Sequence, residues 1–190
     1  MTPESITALF VNRGQLAYEG EGVTQLLHGW QSARLARQAG AAPALQLAAW
    51  LHDLGHLMTG LEGSPTVRGI DDAHEVVGAR ALALAFGPAV SEPVALHVQA
   101  KRCLTGLRAE YRDSLSPDSI RSLALQGGPM TDGEIAEFMQ SPHAQDALRL
   151  RTWDDQAKRP DLRPQTDGQA MEELQNLMRQ VRMPTPDPRS

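Results

Sequence analysis

The stretch LHDLGH, residues 51–56, places ionisable side chains in an otherwise apolar run of alanines and leucines. Burying such groups costs free energy unless they are paired or bind a metal, so His52 and Asp53 are candidate metal ligands. His56 follows His52 by four residues, which predicts that both imidazoles lie on one face of a continuous helix. Asp53 would lie about 100° around that helix, where a carboxylate could bridge two metals.

Other histidines extend this pattern, because five of the six fall on four separate predicted helical segments. These five are His28, His52, His56, His74 and His97. A single histidine on an apolar face is most often a hydrogen-bonded core or surface group, but each buried imidazole needs its own partner. Several helices that each present one therefore favour a shared site. His143 stands apart beside Pro142 and is expected at the surface.

The residue types narrow the metal without naming it. Imidazoles and carboxylates suit iron, manganese or zinc. Cys103 is the only cysteine, which excludes an internal disulfide and a thiolate zinc cluster.

Composition indicates one globular domain, since the 190 residues are 41% apolar and 22% charged. A net charge of −5 argues against general binding to nucleic acid or anionic membranes. The chain has no apolar run that could span a bilayer and no secretory pattern at its start, so we expect a cytoplasmic protein. We expect residues 1–182 to form the domain and residues 183–190 to be a disordered, proline-rich tail.

Helical periodicity runs through the chain without strand-like alternation, which predicts an all-α bundle that positions the histidines. Capping residues predict helix starts at Thr2, Ser116 and Thr131. The other predicted helices are residues 24–40, a helix from Pro43 through LHDLGH, residues 71–86, 88–104, 145–158 and 172–181.

The order His28, then His52-Asp53, then a distant Asp154 resembles the H…HD…D signature of the HD-domain superfamily, mostly metal-dependent phosphohydrolases. His74 and His97 resemble the subset that holds two metals. Six motifs between about residues 18 and 158 together resemble the organophosphonate-cleaving diiron oxygenases of the PhnZ type, which have myo-inositol oxygenase as a more distant relative. The motifs are YxxExVTQxxH, LHDLGH, DDAHE, HVQAKR, LSPDSIRSLALQGGPM and LRTWDDQAK.

This resemblance implies a ligand set in which Asp53 bridges two irons. One iron would be held by His28, His52 and Asp154, and the other by His74 and His97. Asp155 matches the neighbour of the ligand, because the spacing from Asp154 to Lys158 fits the motif better.

The resemblance also implies that His56, Lys101 and Ser119 bind the phosphonate, with His56 and Lys101 as catalytic residues. Lys101 lies one helical turn after His97, and Ser119 lies in the first turn of a helix, where anions are favoured. From their types alone, a solvated lysine, a capping serine and a histidine behind the ligands are the alternatives. Tyr18 would occupy an iron position until substrate displaces it, and Glu21 would meet the substrate's amino group; otherwise both are ordinary loop residues.

The implied activity is oxidative cleavage of the C–P bond of a 1-hydroxyphosphonate, such as 2-amino-1-hydroxyethylphosphonate to glycine and phosphate. It would use O2 at a mixed-valent Fe(II)/Fe(III) pair, in a monomer or weak homodimer whose partner is only this small substrate. An HD-type phosphohydrolase of nucleotides or phosphomonoesters is the alternative enzyme, but it leaves His74 and His97 without a role. A metal-bound regulatory module is the non-catalytic alternative, and it does not explain Lys101.

Overall fold

The computed structural model describes residues 1–18, 21–60 and 65–181. Within these ranges the fold is all-α, as the sequence predicts. The expected tail at residues 183–190 and the expected domain end at 182 lie outside the described residues. The helices are α1 (Pro3–Arg13), α2 (Gln25–Gln38), α3 (Pro43–Leu51), α4 (Leu54–Thr59), α5 (His74–Phe86), α6 (Pro88–Leu107), α7 (Ala109–Asp113), α8 (Pro117–Leu125), α9 (Asp132–Phe138), α10 (Ala144–Gln156) and α11 (Asp167–Val181), with a 3₁₀ turn at Thr66–Arg68.

The three predicted capping residues begin helices as expected. The side chain of Thr2 caps α1, that of Ser116 caps α8, and Thr131 forms a capping box with Glu134 at the start of α9. Each cap accepts a backbone N–H that the first helical turn leaves without a partner.

A short antiparallel pair, β1 (Ala17–Tyr18) and β2 (Val23–Thr24), precedes α2 and was not predicted. Ala17 pairs with Thr24 and Tyr18 with Val23. Strands of two residues are too short to produce a pattern of alternation in the sequence. The pair fixes Tyr18 beside the start of α2, which carries His28.

Helix α3 is the central element of the bundle and packs against α2, α6, α10 and α11. Its residues Leu47, Ala48, Ala49 and Leu51 are fully buried. This apolar core leads directly to His52, so the polar residues that follow are held at the end of a rigid element.

The prediction of one continuous helix through LHDLGH is wrong. Helix α3 ends at Leu51 and α4 begins at Leu54, with the backbone of Asp53 at φ −97° and ψ 12°. On a straight helix the side chains of His52 and Asp53 would diverge by about 100°. The interruption turns both toward the same point, and His56 lies on a different helix from His52.

The predicted helix over residues 71–86 begins later, at His74. Ala73 has φ 48°, the one positive value for a non-glycine residue within the described ranges. This left-handed residue stops the helix from extending toward Asp72, whose side chain instead accepts hydrogen bonds from His56 and His74. Helix α6 continues to Leu107, three residues beyond its predicted end.

Gly55 allows α4 and the start of α5 to approach closely. A Cβ atom at this position would lie 2.1 Å from the carbonyl oxygen of His74. We therefore expect Gly55→Ala to displace His74 and to lower the free energy of unfolding by about 1–3 kcal/mol, the usual cost of overpacking. Denaturant unfolding and metal content test this. Gly133→Ala in α9 is the matched control, since a Cβ there meets nothing. Equal stability of the two variants would contradict the prediction.

No helix among the described residues combines the length and apolar character needed to cross a bilayer.

Candidate metal centre

Three side chains meet where α2 faces the junction of α3 and α4. The Nε2 atoms of His28 and His52 are 3.2 Å apart. Oδ2 of Asp53 lies 3.5 Å from Nε2 of His28 and 3.2 Å from Nε2 of His52. Helix α10 adds Asp154, whose Oδ1 is 3.3 Å and 3.6 Å from the same two nitrogens. We call these four residues the first ligand set.

A second group of side chains lies on the other side of Asp53. The Nε2 atoms of His74, at the start of α5, and His97, in α6, are 3.1 Å apart. Oδ1 of Asp53 lies 3.4 Å from Nε2 of His74 and 3.8 Å from Nε2 of His97. Asp53 therefore directs one oxygen toward each histidine pair. We call His74, His97 and Asp53 the second ligand set.

All four histidines use Nδ1 to donate a hydrogen bond away from the centre. The acceptors are Ala157 O for His28 at 2.9 Å, Ala49 O for His52 at 2.9 Å, Val94 O for His97 at 2.7 Å, and Asp72 Oδ1 for His74 at 3.0 Å. A neutral imidazole with its proton on Nδ1 has a lone pair on Nε2. Lone pairs that face each other at these distances repel unless a cation lies between them, which is the arrangement of metal-ligating histidines.

The spacing of these atoms fits a metal ion. Nitrogen and oxygen ligands about 2.1 Å from a metal, at angles of about 90–109°, lie about 3.0–3.4 Å apart. Asp53 Oδ2 and Asp154 Oδ1 are buried and accept no hydrogen bond from any described residue. Buried carboxylate oxygens without a donor are costly unless a cation is bound. The donor set therefore accommodates one metal in each ligand set.

Electrostatics lead to the same conclusion. Burial lowers the pKa of His52, but the charges of Asp53 and Asp154 outweigh burial and raise it to about 10. Burial raises the pKa of Asp53, yet the neighbouring histidines hold it well below its usual range. The carboxylates thus draw positive charge to the point where the Nε2 atoms meet. A metal supplies that charge in place of a proton, because ligating imidazoles are unprotonated.

The predicted substrate residues lie around one cavity of about 730 Å³ that opens onto both ligand sets. Those lining it are Tyr18, Glu21, His56, Lys101 and Ser119. The structure thus brings them together with the metal candidates. His143, at the start of α10, is separate from this group and only partly buried.

Lys101 is 3% exposed and its Nζ donates to Ser122 Oγ at 2.7 Å. Burial, and then the nearby charge of Arg151, lowers the pKa of Lys101 to about 7. The backbone N–H of Ser119 donates to the capping Ser116 Oγ at 3.2 Å, so Ser119 belongs to the first turn of α8 as predicted. These groups form a wall of the cavity that is rich in donors.

His56 is the most exposed histidine near the metal candidates. Its side chain is 28% exposed, against 2% for His97 and 10% for His74. The ring stacks on His74 with centroids 3.9 Å apart, and Nδ1 donates to Asp72 Oδ2 at 2.6 Å. Nε2, 3.9 Å from Asp53 Oδ1, therefore faces the cavity beside the second ligand set.

Known proteins similar to this chain are phosphonate dioxygenases where they are characterised by name, and no family model matches it. Hydroxymethylphosphonate dioxygenase of Gimesia maris is 48% identical over 159 residues, 82% of this chain and 79% of that protein. [1-Hydroxy-2-(trimethylamino)ethyl]phosphonate dioxygenase (glycine-betaine-forming) of Leisingera caerulea is 39% identical over 84% of this chain and 81% of that protein. The chain belongs to the PhnZ-type hydroxyphosphonate dioxygenases. An uncharacterised protein of Acanthamoeba polyphaga mimivirus is 33% identical over 81% of the chain.

As a hydroxyphosphonate dioxygenase, the chain is an oxygen-dependent oxidoreductase, and the sequence-based family assignment is confirmed. The phosphohydrolase and regulatory alternatives find no support in these relatives. The assignments of individual residues to metal and substrate remain predictions, and they rest on the geometry above.

Arg151 of this dioxygenase is a site residue that the sequence analysis missed. It is 5% exposed and donates through Nη1 to Asp154 Oδ2 at 2.6 Å. Its guanidinium also pairs with Asp155, which accepts from the hydroxyl of Tyr111. Arg151 thereby leaves only Oδ1 of Asp154 directed at the first ligand set. The motif LRTWDD contained the signal, an arginine three residues before the aspartate, but such pairs are usually at the surface.

Asp72 was also missed, since acids before a helix are commonly explained by the helix dipole. One carboxylate here orients two imidazoles, because Oδ1 accepts from His74 and Oδ2 from His56. The hydrogen-bonded histidines hold the pKa of Asp72 well below its usual range, although burial acts in the opposite direction. The dioxygenase thus couples a candidate ligand to a candidate substrate residue through one side chain.

Proposed function

We propose that this dioxygenase holds two irons as a mixed-valent Fe(II)/Fe(III) pair and cleaves the C–P bond of a 1-hydroxyphosphonate with O2. The net reaction is R–CH(OH)–PO3H2 + O2 → R–COOH + H3PO4, in which carbon is oxidised and dioxygen is reduced. The observation that carries the proposal is the division of Asp53, whose two buried oxygens face two separate histidine pairs. One carboxylate in that position suits two metals better than one.

In the proposed centre, His28, His52 and Asp154 hold one iron, His74 and His97 hold the other, and Asp53 bridges them. When bound, the irons supply the Lewis acidity and redox capacity for the reaction with O2. Hydrogen bonds behind the ligands fix each imidazole before the metals bind. Such partners commonly change metal affinity or activity by about 10–100-fold when they are lost.

The phosphonate end of the substrate binds between α6 and α8. The Lys101 ammonium and the Ser119 hydroxyl supply donors, and Ser122, which accepts from Lys101, orients the ammonium. The first turn of α8 adds the favourable end of a helix dipole. Together these groups place the substrate's carbon–phosphorus bond toward the ligand sets.

His56 completes the substrate site. With Nδ1 fixed by Asp72, a proton on Nε2 is available to a phosphonate oxygen in the cavity. Burial lowers the pKa of His56, but Asp72 and Asp53 outweigh it and raise the pKa above the ordinary value. The imidazolium form therefore donates to the substrate while the carboxylate behind it keeps the ring in place.

Tyr18 stacks on His28 with ring centroids 3.9 Å apart, so it covers the first ligand set from the cavity side. Burial, followed by the charges of Asp53 and Asp154, raises the pKa of Tyr18 well above its usual value. The phenol stays protonated there. We propose that it shields the centre until substrate enters.

The charge on Lys101 gives substrate binding a pH dependence. Because its pKa is about 7, the ammonium loses its proton as pH rises through that value. We expect KM for the phosphonate to rise as pH increases from about 7 to about 9, and Lys101→Met to raise KM at pH 6 by about 10–100-fold, since a hydrogen bond from a charged group contributes about 1.5–3 kcal/mol. Lys101→Arg, which stays charged, should flatten the profile. A pH-independent KM in the unsubstituted protein would contradict this role.

Oxygen uptake tests the function itself. Protein purified anaerobically and loaded with iron is mixed with hydroxymethylphosphonate, and O2 consumption and phosphate release are recorded together. One phosphate per O2, with no phosphate released under argon, is the expected result. A phosphomonoester is the control for the phosphohydrolase alternative. Phosphate release from it without oxygen uptake would overturn the proposal.

A further inference from the structure

The wall of the cavity formed by β1, β2 and the residue between them has the chemistry of a site for an ammonium group. It offers the ring of Tyr18 and the carboxylate of Glu21, both of which line the cavity. An aromatic face next to a carboxylate is the arrangement that binds alkylammonium ligands, through cation–π attraction and charge.

A side chain of the protein already occupies this position. The Nζ atom of Lys158 lies 3.0 Å from Glu21 Oε1 and 5.7 Å from the centroid of the Tyr18 ring. The side chains of Lys158 and Glu21 are only 13% and 15% exposed. One ammonium thus contacts both of the features that would recognise an ammonium on a substrate.

The backbone that carries Lys158 is fixed on both sides. Before it, the carbonyl of Ala157 accepts from Nδ1 of His28 at 2.9 Å. After it, Arg159 donates its N–H to Gln31 Oε1 at 3.0 Å, and its carbonyl accepts from Gln31 Nε2 at 2.7 Å. These buried contacts restrict the lysine to this part of the cavity wall.

A substrate ammonium placed against Glu21 would therefore lie beside the ammonium of Lys158. It would have to displace a partly buried ion pair and leave a second positive charge next to itself. Like charges at such short range cost free energy, and the cost is larger away from bulk water.

We infer that Lys158 is a specificity-determining residue that fills the ammonium position, so that the chain acts on 1-hydroxyphosphonates without a cationic substituent, of the size of hydroxymethylphosphonate. This inference rests on the proposed function and narrows it. It also changes the expectation for Glu21, whose carboxylate serves Lys158 here instead of a substrate amine. The remaining donors of the cavity, on α4, α6 and α8, serve the phosphonate end.

Two measurements test the inference. In the first, tetramethylammonium, which has neither a phosphonate nor a hydroxyl group, is titrated into the iron-loaded protein by calorimetry. Lys158→Ala exposes the Tyr18 ring and the Glu21 carboxylate, so it should bind this cation at least about tenfold more tightly than the unsubstituted protein. Lys158→Arg keeps a cation in place and is the matched control, with binding as weak as that of the unsubstituted protein. If Lys158→Ala loses cooperative unfolding, Lys158→Met, which retains the volume, replaces it.

In the second measurement, kcat/KM is compared for hydroxymethylphosphonate, 2-amino-1-hydroxyethylphosphonate and its trimethylammonium analogue. The unsubstituted protein should prefer hydroxymethylphosphonate, and Lys158→Ala should narrow that preference about tenfold, mainly through KM. Preference of the unsubstituted protein for either cationic substrate, or equal tetramethylammonium binding by Lys158→Ala and Lys158→Arg, would overturn the inference. Absence of oxygen-linked phosphate release from all three substrates would instead overturn the proposed function, while the titration would still judge Lys158.

Discussion

Replacing Asp53 by asparagine is expected to abolish C–P cleavage, with kcat/KM lowered by at least about 1,000-fold, because metal ligation and electrostatic stabilisation are lost together. The amide keeps the shape of the carboxylate but has only one oxygen, so it can serve only one of the two histidine pairs. It also removes the negative charge that the centre shares between two metals. Iron content should fall from two per chain to one or fewer.

Colorimetric iron analysis and oxygen uptake measure both effects for this variant. Asp161→Asn is the matched control, since Asp161 is exposed and pairs with Arg159 in the loop after α10. The control should keep both irons and full turnover. Two irons and undiminished oxygen uptake in Asp53→Asn would refute the bridging role.

The second large effect is expected for His74→Ala. His74 belongs only to the second ligand set, so this variant should retain the iron held by His28, His52 and Asp154. An oxygenase that needs two metals should lose its oxygen-linked phosphate release, by at least about 1,000-fold. A hydrolase that needs only one metal would tolerate the change.

Iron content and phosphate release, measured with and without oxygen, separate these outcomes for His74→Ala. His143→Ala is the control, because His143 lies at the start of α10 without a side-chain cap bond and outside the cluster. Oxygen-dependent turnover that survives in His74→Ala would rule out the two-metal centre.

Much of the helical framework could be predicted from the sequence, because its signals are local. Caps at Thr2, Ser116 and Thr131 satisfy the first N–H groups of their helices, and they act over three residues. The accumulation of histidines on several helices indicated a shared site before any contact was known. The burial of Trp153 and Asp154, which places α10 at the centre, agrees with that expectation.

The turn within LHDLGH could not be predicted in this way. Apolar periodicity continues from α3 into α4, and neither glycine nor proline marks the residues at which the helix is interrupted. What bends the chain there is tertiary packing, including the contact between Gly55 and the start of α5. Similarly, nothing in an alanine at position 73 indicates a left-handed backbone.

Long-range pairs were equally out of reach. Glu21 and Lys158 are 137 positions apart, and no spacing rule connects them. Arg151 is three residues from Asp154, but only its burial distinguishes this ion pair from the exposed pairs that helices commonly carry. The groups that hold the ligands and set the substrate preference are therefore visible only in the folded chain.

The most direct test of the two-metal centre is anomalous scattering at the iron edge from crystals of the anaerobically loaded protein. We predict two iron peaks about 3.5–4 Å apart, the usual separation in two-metal sites, with the carboxylate of Asp53 between them. One peak should lie beside His28, His52 and Asp154, and the other beside His74 and His97. A single peak at the first ligand set, in protein that consumes oxygen with its substrate, would contradict the account.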